Sequence, residues 1–201
     1  DTLQFYPAIK GSKSDRFLNI DAPEMEGDTQ EPWATSSRDN LRGLLPQRTK
    51  ITIKTDVEEK DIYGRILGHN VREKDSLNAN KEQLRQGQAV TYVIWPNVAY
   101  FDEYRTAQIE AQGNGRGIWN PTTPLTELPF LYRCRIDSCT LSKPVGDFYT
   151  KKYVDPADWG QVHVNNRIFF WTETDASSAG YTKCPQDQQG NYASSCFAPG
   201  N

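Results

Sequence analysis

Residues 16–24 read RFLNIDAPE, an arginine followed by a short apolar run and then by an acidic turn. Three of these residues are apolar at the spacing of a half-buried β-strand. Pro23 has no backbone N–H to donate to a sheet, so the strand must end before it. We therefore expect two carboxylates, Asp21 and Glu24, on a turn of fixed shape at the end of a strand.

A second short motif, DIYGR at residues 61–65, places Arg65 in a turn about 40 residues further on. Together with Arg16 it supplies two guanidinium groups to accompany the two carboxylates. Planar guanidinium groups hold phosphate through paired hydrogen bonds, and carboxylates bind metal ions and orient water. This combination suits chemistry on a phosphodiester. Taken singly, each of these residues is also what an ordinary surface salt bridge would need.

The motifs occur in a fixed order: R-x-x-x-I-D-A-P-E, a long helix, D-x-Y-G-R and a closing Gly-Ile-Trp. In this order and spacing the sequence resembles the staphylococcal nuclease (thermonuclease) family over residues 1–120. The resemblance implies an OB-type five-stranded β-barrel with three helices. Periodicity alone indicates only the α+β class.

The resemblance also implies a role for each site residue. Arg16 and Arg65 match the family's two phosphate-binding arginines, and Glu24 matches its proposed general base. Asp21 matches a metal-binding aspartate, and the backbone carbonyl of Ala22 matches a second metal ligand. The family's metal is calcium, and hard oxygen ligands of this kind suit calcium or magnesium better than zinc.

Some positions around this predicted site match the family only in part. Asp1 matches the second aspartate of an Asp-Gly-Asp-Thr metal-binding turn, although the Asp-Gly half and the strand before it are absent. Asp1 is therefore either a metal ligand or part of a frayed terminus. Tyr63 and Tyr92 match tyrosines that contact the substrate. Ile62 and Ile94 stand where a lysine and a second tyrosine are usual.

The resemblance implies calcium-dependent hydrolysis of DNA and RNA with 3'-phosphate and 5'-hydroxyl products. Ile62 and Ile94 give a terminal phosphate no polar partner, so we expect mainly internal cleavage. The alternative is a non-catalytic nucleic-acid or protein-binding module on the same barrel. Such modules typically lose the arginines and acids that are kept here. The formal net charge of −3 argues against capture of nucleic acid by a broadly basic surface. His69 and His163 lie near no serine or cysteine signature, so a Ser-His-Asp hydrolase is unsupported.

The periodicity of the first 120 residues predicts a series of strands and helices, with a polar loop at residues 27–30. Leucines at helical spacing and Pro46 predict a helix that begins at Pro32. The remaining predictions are a hairpin over residues 3–20, strands over 51–55, 66–69 and 89–95, and helices over 76–86 and 102–112.

Residues 121–124 read PTTP and form a rigid, polar linker. We expect residues 1–120 to form the nuclease-like domain and residues 125–201 a small, separate module with β-strands at 131–136 and 167–171. Trp159 and Tyr192 of this module could stack on bases, although core packing is the simpler interpretation. An attachment function for this module, with the nuclease as cargo, is a further alternative.

The sequence contains four cysteines, all in its last third: Cys134, Cys139, Cys184 and Cys196. Their even number favours two disulfides, with three pairings possible, in a secreted or periplasmic protein. A zinc site is the alternative, but the spacings fit its usual ligand patterns poorly. No apolar run approaches the length of a membrane span, about 18 residues. We expect a monomer.

Overall fold

The computed structural model describes residues 1–25 and 30–200, and its fold is mixed α+β. The predicted polar loop at residues 27–30 lies mostly outside the described residues. The strands are β1 (Thr2–Ile9), β2 (Ser12–Phe17), β3 (Ile20–Asp21), β4 (Ile51–Lys54), β5 (Ile66–Arg72), β6 (Leu77–Asn78), β7 (Val90–Thr91), β8 (Val93–Ile94), β9 (Val145–Asp147), β10 (Lys152–Val154), β11 (Arg167–Phe169) and β12 (Thr182–Lys183). The α-helices are α1 (Ala34–Leu44), α2 (Ala79–Arg85), α3 (Phe101–Gly113), α4 (Pro129–Ile136) and α5 (Glu173–Ser178).

The first half of the chain forms a curled sheet in the order β1-β2-β5-β4, with β6 paired to β5. The hairpin β1–β2 is antiparallel, β2 and β5 are parallel, and β4 is antiparallel to β5. A separate antiparallel pair joins β3 to β7. The sheet and the first three helices enclose one hydrophobic cluster, which includes Phe17, Ile20, Leu84 and Tyr104. The predicted OB-type class is confirmed.

The strand predicted through residues 16–20 is interrupted at its centre. Asn19 has a φ of 65°, in the left-handed region that asparagine tolerates better than most residues. Its side-chain Nδ2 donates to the carbonyl of Ala99 at 2.8 Å, and its own carbonyl accepts from the N–H of Tyr92 at 3.0 Å. This turn redirects the chain, so that β3 leaves the main sheet and pairs with β7.

The last third of the chain shares its sheet with the first part. The order of this second sheet is β12-β10-β9-β11-β8, and β11 pairs in parallel with β8. One hydrophobic cluster likewise combines Val93 and Phe101 with Ile168 and Phe170. The domain boundaries at residues 120 and 125 stay a prediction. Side chains from both sides of these boundaries are buried together in this cluster.

The strand predicted over residues 131–136 is wrong, because these residues belong to α4. The alternation of apolar and polar residues in LYRCRI is typical of a strand. Pro129, however, stands in the first turn of the segment, where proline favours a helix. Phe130 and Cys134 are one helical turn apart, and both are buried.

Two disulfides are present, Cys134–Cys139 and Cys184–Cys196, and no described cysteine is free. The first ties the end of α4 to the following turn. The second lies in a hydrophobic cluster that also contains Phe130 and Phe169, with Trp159 and Tyr192 packed against it. No helix in the described ranges 1–25 and 30–200 has both the length and the apolar character needed to cross a membrane.

Candidate functional site

The site is centred on Asp21, the last residue of β3. Its backbone position is fixed by pairing with Val90 of β7, and its side chain is fully buried. Ala22 and Pro23, which are also buried, follow it and end the strand. A buried carboxylate is stable only when charged or hydrogen-bonding partners compensate for the lost water, so its neighbours define the site.

Arg16 of β2 brings the two predicted aspartates together. Its Nη2 lies 2.9 Å from Asp21 Oδ1, and its Nη1 lies 2.8 Å from Asp1 Oδ2. The same Nη1 donates to the carbonyl of Ile20 at 3.1 Å. The backbone N–H of Ala22 donates to Asp1 Oδ2 at 3.0 Å. The predicted ligands Asp1, Asp21 and Ala22 are therefore neighbours.

Glu24 lies beside this group on the turn after β3, where a second glutamate supports it. The backbone N–H of Glu24 donates to Glu31 Oε2 at 2.7 Å. Glu31 is 2% exposed, and its Oε1 has no hydrogen-bond partner among the described residues. Burial raises the pKa of Glu31 to about 7, and the nearby charges of Asp21 and Glu24 act in the same direction. No motif in the sequence points to this residue.

A third arginine, Arg133 of α4, contacts both acids. Its Nη1 lies 2.7 Å from Asp21 Oδ1 and its Nη2 lies 2.9 Å from Asp21 Oδ2, a paired contact on one carboxylate. Arg133 Nη1 also pairs with Glu24 Oε1. This arginine is 112 residues from Asp21 in the sequence and belongs to the predicted C-terminal module. The only sequence signals for it were Pro129 and the basic last turn, which are typical of a helix.

Arg65 is held in a different way, on its own turn. Asp61 Oδ1 accepts from the backbone N–H groups of Tyr63 and Arg65, both at 2.9 Å, and Asp61 Oδ2 lies 2.6 Å from Arg65 Nε. Gly64 has a φ of 77°, which the turn requires. Among the described residues, no ion pair or hydrogen bond joins Arg65 to the carboxylates around Asp21.

The two predicted substrate-binding tyrosines differ in accessibility. Tyr63 is 78% exposed, and the guanidinium of Arg65 lies 5.5 Å from its ring centre. Tyr92 is packed between Phe130 and Phe169, with ring centres 5.7 and 4.5 Å away. Burial, together with the charge of Asp21, raises the pKa of Tyr92 to about 12, so that its hydroxyl stays protonated at neutral pH.

A cation and an exposed aromatic ring lie together near the site. Lys143 Nζ is 4.5 Å from the ring centre of Trp171, which is 52% exposed. Burial and the neighbouring charge of Arg133 lower the pKa of Lys143, whereas Asp21 opposes this shift. Lys143 thus shares an electrostatic environment with Asp21 and Arg133. Lys143 and Trp171 both belong to the last third of the chain, and no motif in the sequence points to either as a site residue.

The donor set fits a hard divalent cation in its chemistry. Carboxylate oxygens of Asp1 and Asp21 and the carbonyl of Ala22 are the ligand types that calcium prefers. In residues 1–25 and 30–200, no group of three or more His, Cys, Asp or Glu side chains is arranged to hold a metal ion. Two carboxylates and a carbonyl do not require such a group. Both oxygens of Asp21, however, already accept hydrogen bonds from Arg133.

The fold and the site together define a class of protein: an OB-like barrel with a buried acidic site lined by arginines. The family model described as staphylococcal nuclease homologue matches residues 15–121. The chain belongs to this family.

The similar proteins include bacterial nucleases. The chain is 39% identical to "Endonuclease YhcR" of Bacillus subtilis (strain 168) over 192 residues, which cover 91% of this chain and 16% of that protein. It is 28% identical to "Thermonuclease" of Staphylococcus hyicus over 107 residues, 52% of this chain and 62% of the other. The similarity to YhcR therefore continues well beyond residue 121, but the chain spans less than two thirds of either relative.

Proposed function

We propose that the protein is a calcium-dependent nuclease that cuts DNA and RNA internally and leaves 3'-phosphate and 5'-hydroxyl ends. The observation that carries this proposal is the meeting of Asp1, Asp21 and Arg16 at one place in a staphylococcal nuclease homologue, with Glu24 joined to Asp21 through Arg133. The names of the bacterial relatives support the same reaction class.

Each side chain has a defined task in this proposal. Asp1, Asp21 and the carbonyl of Ala22 would hold the cation, which supplies charge neutralisation at the phosphate. Glu24, at the edge of the same cluster, orients the attacking water and accepts its proton. Arg16 donates to the phosphate oxygens as negative charge develops on them.

Arg65 is assigned to the same phosphate as a second guanidinium donor. Its side chain is about one-third exposed, and within residues 1–25 and 30–200 its ion pair is with the local Asp61. A partly exposed ion pair formed within one turn contributes little to stability, so exchanging the carboxylate for a phosphate costs little. The turn of residues 61–65 thus fixes the orientation of Arg65 through Asp61, and its guanidinium can still exchange this carboxylate for a phosphate.

The nucleic-acid strand is proposed to leave the site past Lys143 and Trp171. Trp171 offers an aromatic face for stacking a base, and Lys143 offers a charge for a phosphate. Stacking of this kind does not depend on base identity, which agrees with cleavage of both DNA and RNA. The Trp171→Ala variant should raise KM for single-stranded DNA several-fold and leave kcat nearly unchanged.

A covalently closed single-stranded DNA circle tests the reaction directly. With calcium, the protein should linearise the circle and then degrade it, and excess chelator should stop both steps. Analysis of the product ends should find 3'-phosphate. A circle that survives conditions under which the matching linear strand is degraded would contradict internal cleavage. Binding of the circle without cleavage would favour the non-catalytic alternative.

The two disulfides support a secreted or periplasmic location, because such bonds persist mainly in oxidising compartments. Intact mass before and after reduction and alkylation tests the oxidised state. Four cysteines that react with alkylating agent in native protein purified without reductant would contradict it.

A further inference from the structure

Arg133 and Arg16 both bind Asp21, but they are anchored differently. Arg16 also contacts Asp1 Oδ2 and the backbone carbonyl of Ile20, and its side chain is 17% exposed. The side chain of Arg133 is 31% exposed. Apart from the two acids, Arg133 contacts the ring of Tyr92, 5.9 Å from its centre. Arg133 is therefore the more exposed of the two guanidinium groups and has fewer anchors outside the carboxylates than Arg16.

Arg133 lies where a cation bound to Asp21 would have to be. Its two terminal nitrogens bind both oxygens of Asp21, and one of them also pairs with Glu24. A divalent cation needs the same carboxylate lone pairs, so the paired contact of Arg133 and a metal ion on Asp21 exclude each other.

We propose that Arg133 is a resident cation of the active site. It neutralises Asp21 and Glu24 in the metal-free protein, and a divalent cation must displace it from Asp21 in order to bind. The proposal rests on the proposed function only in taking Asp21 as a cation ligand. It assigns to α4, in the last third of the chain, direct competition with the metal.

Calcium itself is the probe, in titration calorimetry without nucleic acid. The Arg133→Gln variant should bind calcium about tenfold more tightly than the wild-type protein, because the competitor has been removed. Arg135→Gln is a matched control. It lies on the same helix and removes the same charge, but Arg135 pairs with Glu127, at 2.8 Å, on the surface. The control should leave calcium affinity within about twofold of wild type.

A second comparison separates site competition from a change in net charge. In the Asp21→Asn background, Arg133→Gln should no longer tighten calcium binding. If the Arg133→Gln protein does not fold, hydrogen exchange on the wild-type protein replaces it. Calcium should then speed exchange of the amides in α4, and unchanged protection there would overturn the proposal.

The outcomes distinguish this proposal from the proposed function. Equal or weaker calcium affinity in folded Arg133→Gln protein overturns the competition and leaves the nuclease assignment intact. Tighter calcium binding by the Arg133→Gln variant, together with a wild-type protein that cleaves neither DNA nor RNA, supports the competition and overturns the nuclease. Absence of calcium binding in both proteins overturns the competition together with the calcium dependence.

Discussion

The cluster around Asp21 and the turn around Asp61 both pair an aspartate with arginine, but in opposite ways. Asp21 is fully buried and receives two arginines, from β2 and from α4. The Asp61–Arg65 pair is formed within four residues, and about one-third of the Arg65 side chain is exposed. The first arrangement depends on the whole fold, and the second depends on one turn.

This difference separates stability from activity. A buried charge that loses its partner is left without water or counter-charge, which costs about 3–5 kcal/mol. An exposed pair is worth at most about 1 kcal/mol, because water replaces the lost partner. Substitutions in the buried cluster should therefore impair both folding and hydrolysis, whereas substitutions in the exposed turn should impair hydrolysis alone.

The largest effect is expected for Arg16→Ala. Turnover should fall about 100-fold or more through loss of a phosphate donor. The free energy of unfolding should fall by about 3 kcal/mol, since Asp21 and Asp1 lose a shared partner. Urea denaturation followed by circular dichroism, with a cleavage assay on the same preparation, measures both. If this variant were as stable as the wild-type protein, the cluster around Asp21 would not differ in stability from the turn around Asp61, and the comparison would be wrong.

Arg65→Ala should lower turnover by a similar factor, about 100-fold, and change the free energy of unfolding by no more than about 1 kcal/mol. Arg38→Ala is its control. Arg38 pairs locally with Asp39 at 2.8 Å and has a similar exposure, but it lies on α1. The control should keep full activity. Full activity in Arg65→Ala would instead show that the turn of residues 61–65 takes no part in hydrolysis.

Removal of each disulfide gives a smaller contrast. Loss of the disulfide that closes the longer loop, in Cys184→Ser/Cys196→Ser, should lower the free energy of unfolding by about 3 kcal/mol. Loss of the disulfide that closes the shorter loop, in Cys134→Ser/Cys139→Ser, should lower it by about 2 kcal/mol. Only the shorter one adjoins Arg133, so only its removal should also tighten calcium binding. Thermal melts and calcium titrations of the two double variants test this. Equal calcium affinity in the two double variants would show that the Cys134–Cys139 disulfide does not influence the site.

The last expected effect concerns Asp15 and the pH dependence of stability. It is fully buried, and burial raises its pKa to about 6, against the opposing effects of its hydrogen bond from Asn70 and of the charges of Arg16 and Arg65. The folded state therefore holds the Asp15 proton more tightly than the unfolded state does. Stability should fall as pH rises from about 4 to about 6, by on the order of 3 kcal/mol, and this contribution should then stay constant.

Asp15→Asn removes this titration but can still accept the hydrogen bond from Asn70. Its advantage over the wild-type protein should therefore grow between pH 4 and pH 6 in denaturation experiments. Asp39→Asn, at an exposed position on α1, is the control and should show no such growth. Parallel pH profiles for Asp15→Asn and the wild-type protein would contradict the buried titration.

The barrel and the contact between Arg16 and Asp21 were within reach of the sequence because their signals are local. Pro23 ends a strand, and Arg16 stands five residues before Asp21. Arg133 was out of reach for a physical reason: nothing in the residues around it specifies a partner 112 residues away. The alternation in LYRCRI also favoured a strand, whereas Pro129 and the burial of Phe130 and Cys134 favour the helix.

The parallel pairing of β8 with β11 has a consequence for how the protein is made. A ribosome releases β8 long before β11, so the edge of β8 stays unpaired during much of synthesis. Arg133 likewise reaches Asp21 only after α4 has emerged. Contacts between such distant segments form slowly. An open strand edge can meanwhile pair with another chain, so refolding yield should fall as protein concentration rises.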